Sequence, residues 1–272
     1  MSLSGAILGD IIGSRFEFQD EIPDWESCDF FHEDAVFSDD TVQSLAIGTA
    51  AITHKDYSKA LYEICSKYIF VGYGGNFVKW LKEPSGTSNN SWCDGSAMRV
   101  SYLGMLADSL DEAEEMATES AVCTHNCDEG ITGAKAIAGC TYLARTHASK
   151  DEIMKYALSL YPHDTNEYSP DRCLSDYRDG YKFEVRCSKT VPIAIRCFLE
   201  SHDFQSCMRN VLYMNGDTDT LGAMAGSIAG SFYGFGEWDV EKIMRCYLDE
   251  ELFEMWQYCE NYFEKISTVR NR

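Results

Sequence analysis

Gly5-Ala6-Ile7-Leu8-Gly9-Asp10-Ile11-Ile12-Gly13, read as one helical run, places three glycines at a spacing of four. Such glycines line one face of a helix and leave it without side chains, so that another helix can approach closely. The stretch Leu221-Gly222-Ala223-Met224-Ala225-Gly226-Ser227-Ile228-Ala229-Gly230 repeats the device far downstream. It is rich in Gly, Ala and Ser and begins beside Asp217 and Asp219, which argues against a membrane span. The two stripes are expected at close helix–helix contacts, against each other, holding Glu17 and the Asp217/Asp219 segment near one site.

Helix-type spacing also runs through Val42 to Ile52, Tyr57 to Phe70, Ala97 to Leu106, Leu110 to Cys123, Gly133 to Arg145 and Asp151 to Leu160. Five prolines and few alternating runs of Val, Ile and Thr leave little or no sheet, so the fold class is all-α. With 272 residues and no Pro-, Gly- or Ser-rich linker, residues 1–272 read as a single domain. Val71 to Asp94, with Pro84-Ser85-Gly86 and Asn89-Asn90, reads as a long loop, and loops of that length tend to carry function. His163 to Thr190, dense in Asp, Tyr and Arg, reads as a surface excursion rather than core. From Trp238 to Ile266, the residues Ile243, Met244, Tyr247, Leu252, Phe253, Trp256 and Phe263 form a helical stripe read as core.

Phe37-Ser38-Asp39-Asp40-Thr41 and Gly216-Asp217-Thr218-Asp219-Thr220 each set two carboxylates and hydroxyl oxygens just before a helical run. Either alone also suits a helix N-cap, where Ser, Asp and Thr accept from free backbone N–H groups. Together they read as the halves of a site for hard cations. Mg²⁺ or Mn²⁺ takes oxygen ligands, whereas zinc usually takes Cys and His, which neither segment contains. Brought together bare, the four carboxylates would repel by roughly 4 kcal/mol per close pair, taking about 4 Å and an effective dielectric near ~20. Two divalent cations would cancel that charge.

A net charge of −21, from 23 basic and 44 acidic side chains, argues against unaided binding to nucleic acid or to an anionic membrane surface. A small anionic ligand would need a local device such as metal ions or helix N-termini. The Met1 end has no charged segment followed by a long apolar one, so it does not read as a secretory signal. The twelve cysteines are scattered and form no CxxC pair, and Cys65, Cys123, Cys140 and Cys197 sit in apolar surroundings. They read as free thiols in a reducing, cytoplasmic setting. No exposed apolar run announces an interface, and a monomer is expected.

The motifs in order, Gly5 to Asp10 with Glu17, Ser38 to Thr41, Asp94-Gly95-Ser96-Ala97-Met98-Arg99, Thr124-His125 and Gly216 to Thr220, resemble the ADP-ribosylglycohydrolase family, most closely its compact bacterial members. The resemblance covers the chain to about Gly234. It implies a compact orthogonal helical bundle with a central cleft for two Mg²⁺, and hydrolysis of the glycosidic bond joining ADP-ribose to an acceptor. By the same resemblance the metal ligands are Ser38, Asp39, Asp40, Asp217, Asp219 and Thr220. Glu17 matches a glutamate near the metals, implicated in catalysis, in the serine-specific branch; without the resemblance it reads as a solvated helix-end carboxylate. Ser91, Trp92, Asp94, Gly95, Ser96 and Met98 match a turn that binds diphosphate and ribose, where backbone N–H groups meet an anion. His125 matches a histidine of the ligand cleft. Trp92 is open between stacking on adenine and packing in the core. Compact relatives commonly have Asn at the position of Asp94 and His-Pro where Cys127-Asp128 stand here, departures expected to fall in the substrate cleft.

The implied reaction has metals orienting the distal ribose and activating a water, with Glu17 first and then Asp40 or Asp219 managing proton transfer. Arginine-linked, serine-linked and small-molecule conjugates all remain open as substrates. Two other readings stand beside this one: a non-catalytic ADP-ribose-binding or structural descendant of the family, and a hydrolase of another nucleoside-type glycosidic bond.

Overall fold

The computed structural model describes residues 2–19, 21–83 and 89–270. Helix α1 (Ser2–Ser14) is buried from Ser2 to Gly13. Helix α2 (Asp39–Thr53) starts at Ser38, whose Oγ accepts from the Asp40 N–H, and ends on His54 with φ 51°. Then come α3 (Tyr57–Cys65), capped by Asp56, and α4 (Gly75–Lys82). A 3-10 turn at Asp94–Ser96 leads into α5 (Ser101–Leu106), α6 (Leu110–Val122) and α7 (Asp128–Arg145). Ser109 caps α6 and Cys127 caps α7, each satisfying an amide with no partner inside its helix. Capping boxes on Ser149 and Asp203 open α8 (Lys150–Leu160) and, after α9 (Cys187–Leu199), α10 (Phe204–Met214). The chain closes with α11 (Thr218–Tyr233), α12 (Val240–Tyr247) and α13 (Glu250–Arg270). Among the described residues the one strand-like pairing is an antiparallel bridge between Cys93 and Arg186, so the fold is all-α.

At its centre α1 and α11 run antiparallel with their glycine stripes face to face. A Cβ placed on Gly5 would stand 2.2 Å from the Gly226 carbonyl oxygen, on Gly9 1.9 Å from that of Gly222, and on Gly13 2.1 Å from that of Thr218. Only glycine permits this approach. The Thr218 hydroxyl donates to the Gly13 carbonyl at 2.8 Å and fastens the end of α1 to the start of α11. Around this pair, α7, α9 and α10 pack on α11, and α2 and α5 on α1. Met244, Leu252, Phe253 and Trp256 are buried, as the C-terminal stripe predicts, and Trp256 Nε1 donates to Ser4 Oγ at 3.0 Å. All twelve cysteines are unpaired. No helix among the described residues is long and apolar enough to cross a membrane.

Several boundaries differ from the sequence reading. α3 ends at Cys65, and Phe70, expected inside it, is 93% exposed. The expected loop Val71 to Asp94 contains α4, which buries Phe77 and Trp80; Pro84-Ser85-Gly86 within it lie outside the described residues. His163 to Thr190 is no mere surface excursion. Ser169, Leu174, Tyr177 and Tyr181 are buried, Tyr168 stacks on Tyr177 at 4.8 Å, and α9 begins within it. Tyrosine hides this in a composition count, because its ring packs as an apolar body while its hydroxyl stays polar. Helices α9 and α10 are not among the expected helical runs. In α9, Pro192 interrupts the pattern, although the helix runs through it.

Candidate functional site

The α1–α11 crossing sets the site, because its open end holds the acids of both helices. Asp10, in α1, is completely buried. Its Oδ2 accepts from the Ser38 N–H at 2.9 Å and the Thr41 N–H at 3.1 Å, and also from the Thr41 hydroxyl. Asp10 therefore clamps the N-terminus of α2 onto α1, where the free amides and the helix dipole favour a negative charge. Asp40 Oδ2 accepts from the hydroxyls of Ser38 and Thr220, each at 3.2 Å, while its Oδ1 is buried without a partner. Asn215, at φ 69°, and Gly216, at φ 83°, turn the chain sharply into α11. Asp217 and Asp219 follow at its start, and both are buried.

Two carboxylate triads result. Oxygens of Asp10, Asp40 and Asp219 lie within 4.8 Å of one another, as do those of Glu17, Asp217 and Asp219. Asp219 belongs to both. Burial pushes the Asp10 carboxyl up to about 7, with the charge of Asp219 adding to it. Half-buried Glu17 rises to about 8, through desolvation first and then the charges of Asp219 and Asp39. Asp40 and Asp217 are held well above the usual carboxylate range by burial and then by Asp219. Asp39 is raised in the same way, and its Oδ2 accepts from Gln43 Nε2 at 2.7 Å.

Glu17, Asp39, Asp217 and Asp219 face a cleft of about 480 Å³, the size of a small-molecule site, while Asp10, Ser38 and Asp40 are buried outside its lining. Glu17, Asp39, Asp217, Asp219 and Thr220 line one part of it, and Ser91, Asp94, Gly95, Met98 and His125 another. Asp94 is 4% exposed and its Oδ2 has no partner; burial, and then the charges of Asp219 and Glu184, push its carboxyl up to about 8. His125 is held well below the usual histidine range by burial and by the charge of Arg99. Trp92 and Ser96 stand outside the lining. The Arg186 guanidinium lies 4.3 Å from the centre of the Trp92 ring, and Ser96 Oγ donates to the Gly130 carbonyl at 2.8 Å. Cys127 is also outside the lining, contrary to expectation: its thiol accepts from the Gly130 N–H at 3.4 Å as the cap of α7 and donates to the Ser91 carbonyl.

Three features of the site are not signalled by the motifs: buried Asp10, behind the lining, and two parts of the cleft wall. Asp10 belongs to the first motif but not to its expected ligands; its signal in the sequence is a carboxylate inside an otherwise apolar helix. Phe183 and Val185 form a wall of the cleft. That wall is joined to the Trp92 loop by Asp94 N–H to the Val185 carbonyl at 2.9 Å and Cys187 N–H to the Trp92 carbonyl at 3.2 Å. Phe18, at φ 63° and 72% exposed, stacks on Phe183 with ring centres 5.0 Å apart.

The donor set fits a hard divalent cation. All the triad ligands are carboxylate oxygens, and one oxygen of Asp40 is buried and unpartnered. The chain is 25% identical to the ADP-ribosylhydrolase ARH3 of Homo sapiens, over 96% of this chain and 89% of that protein. It is also 25% identical to the ADP-ribosylarginine hydrolase Tri1 of Pseudomonas putida (strain GB-1), over 89% of this chain and 73% of that protein. A solved structure named ADP-ribosylglycohydrolase-related protein complex shares the fold, with TM-score 0.69 and 20% identity over 93% of each chain. A family model described as ADP-ribosylglycohydrolase matches residues 1–269, and on that nearly whole-length match the protein belongs to the ADP-ribosylglycohydrolase family and is an enzyme of the ADP-ribosyl glycohydrolase class.

Proposed function

We propose that the protein is a Mg²⁺-dependent hydrolase that cleaves the glycosidic bond between ADP-ribose and an acceptor, a protein side chain or a small conjugate, and releases ADP-ribose. The pair of carboxylate triads sharing Asp219 at the edge of a ligand-sized cleft carries this reading. Asp10, Asp40 and Asp219 would hold one cation, and Glu17, Asp217 and Asp219 a second, with Ser38, Asp39 and Thr220 beside them. Bound there, such cations supply Lewis acidity toward the ribose hydroxyls and a water of lowered pKa. Ser91, Gly95, Met98 and His125 bind the diphosphate and ribose, and the walls exclude bulk water. The decisive test is release of ADP-ribose from arginine- and serine-ADP-ribosylated peptides, with Mg²⁺ and with EDTA. Metal-dependent release identifies the linkage; tight ADP-ribose binding without release would overturn the hydrolase reading in favour of a binding protein.

Glu17 manages the proton in this scheme, because it is the half-buried member of its triad and burial already favours its protonated form. Glu17→Gln keeps an oxygen ligand and removes the proton-carrying carboxyl. It is expected to lower kcat by about 10²–10³ while Mn²⁺ binding, followed by calorimetry, changes little. An unchanged kcat would remove Glu17 from the chemistry.

Asp94 stands where compact relatives carry an amide, and burial reconciles the two. Protonated, its carboxyl can donate to a diphosphate as an amide does. As pH rises through about 8 the group ionises and repels that ligand, so ADP-ribose affinity of the wild-type protein is expected to weaken. Asp94→Asn should abolish that component of the decline. Titrations at several pH values check this, and parallel curves for the two proteins would contradict it.

A further inference from the structure

Arg99 is among the largest fully buried side chains, at 0% exposure, and every partner of its terminal nitrogens is neutral. Nη1 donates to Gln43 Oε1 at 2.8 Å; Nη2 donates to the Ser120 carbonyl at 2.9 Å and to Thr124 Oγ1 at 2.8 Å. A guanidinium buried among neutral groups is costly unless its charge is answered through them. Two relays lead from it into the cleft.

The first runs through Gln43. Arginine only donates, so the amide must turn its oxygen toward Arg99, and its Nε2 then donates to Asp39 Oδ2 at 2.7 Å. The amide thus presents a donor to a cleft carboxylate and fixes its rotamer. The second runs through Thr124. With Arg99 occupying a lone pair of Oγ1, the hydroxyl proton is free to point at His125 Nδ1, 2.7 Å away. A neutral imidazole that accepts at Nδ1 carries its proton on Nε2. That edge of the ring faces the Gly95 turn, where a Cβ on Gly95 would lie 3.4 Å from both Cε1 and Nε2.

We propose that Arg99 is a positioning residue serving both parts of the cleft at once: through Gln43 it orients Asp39 for a cation, and through Thr124 it sets the Nε2–H tautomer of His125 as a donor for an anion. The proposal rests on the function above for the identity of those ligands, not for the wiring. One buried cation then prepares complementary groups without touching substrate.

The test uses the full chain and conservative changes in the relays, because replacing the fully buried Arg99 would disturb the core as well as the relays. Gln43→Leu is expected to weaken Mn²⁺ binding about 10- to 100-fold by calorimetry and to leave the His125 tautomer, read from ¹⁵N chemical shifts, unchanged. Thr124→Val should leave Mn²⁺ affinity within about twofold, shift the His125 ¹⁵N pattern away from Nε2–H, and weaken ADP-ribose binding about tenfold. Unchanged Mn²⁺ affinity in folded Gln43→Leu overturns the first relay. An unchanged tautomer in folded Thr124→Val, which removes the bonds from Arg99 and to His125 together, overturns the second. If the wild-type protein bound neither Mn²⁺ nor ADP-ribose, the functional reading would fail, while the tautomer comparison would still decide the wiring.

Discussion

Asp219→Ala is expected to lower turnover about 10³-fold or more and, in the absence of metal, to make the protein more stable. The two effects have one cause. Asp219 belongs to both triads, so its loss breaks both candidate cation positions. Its charge is also the largest coulombic contribution to the raised pKa of Asp10, Glu17, Asp39, Asp40 and Asp217. Removing it relieves each of these repulsions. Against the gain stand a helix-start charge worth about 0.3–1 kcal/mol and a small cavity, which leaves a net stabilisation of about 1–3 kcal/mol at alkaline pH.

The sign follows from proton linkage. A carboxyl whose folded-state pKa lies above its unfolded value binds protons on folding, so its stability is fully present below the unfolded pKa and is lost as pH rises through the folded one. For Asp10 the folded value is about 7 and for Glu17 about 8, so the metal-free wild-type protein should lose stability as pH rises toward 8. Divalent metal reverses the trend by neutralising the same charges, and it should stabilise the wild-type protein more at pH 8 than at pH 5 but leave Asp219→Ala nearly unmoved. Denaturant melts at two pH values, with and without Mg²⁺, measure all of this. A metal-free Asp219→Ala less stable than wild type at the higher pH would refute the account of crowded, uncompensated charge.

Gly9→Ala should cost about 3 kcal/mol or more, against a helix-propensity gain of at most about 1 kcal/mol. The added methyl would stand 1.9 Å from the Gly222 carbonyl oxygen and 2.2 Å from its carbon. Both are backbone atoms in a helix buried on all sides, and the only relief is to push α1 and α11 apart. That movement would also separate Asp10 from Asp219, so cation binding should weaken together with stability. Gly48→Ala is the control. Its nearest neighbours are the Tyr102 ring at 3.2 Å and the Cys259 thiol at 3.4 Å, side chains that can yield, and its effect should stay within about 1 kcal/mol. Equal losses in the two variants would mean that the stripe is not a contact of closest approach.

The glycine period of α1 and α11 was legible because it is a local signal with one physical use: a face without side chains has value only where another backbone comes near. The acidic segments were legible for a related reason, since each lies within five residues and opens a helix. Asp10 was harder. A carboxylate in an apolar helix becomes intelligible only when the amides it accepts from, at Ser38 and Thr41, are brought to it from another helix. The cleft wall at Phe183 and Val185 was invisible, because the bonds that place it join residues about ninety positions apart. Trp92 and Cys127 show the same limit in reverse, since the Arg186 guanidinium and the Ser91 carbonyl that occupy them lie far from them along the chain.

Helix content, the stripes and the oxygen-rich chemistry thus follow from composition and spacing alone, because short-range sterics and helical periodicity dictate them. Which carboxylates are brought within reach of one another, which have their pKa raised, and how Arg99 is partnered follow from tertiary packing, because charge interactions depend on separation and burial, and neither is written in the order of the residues.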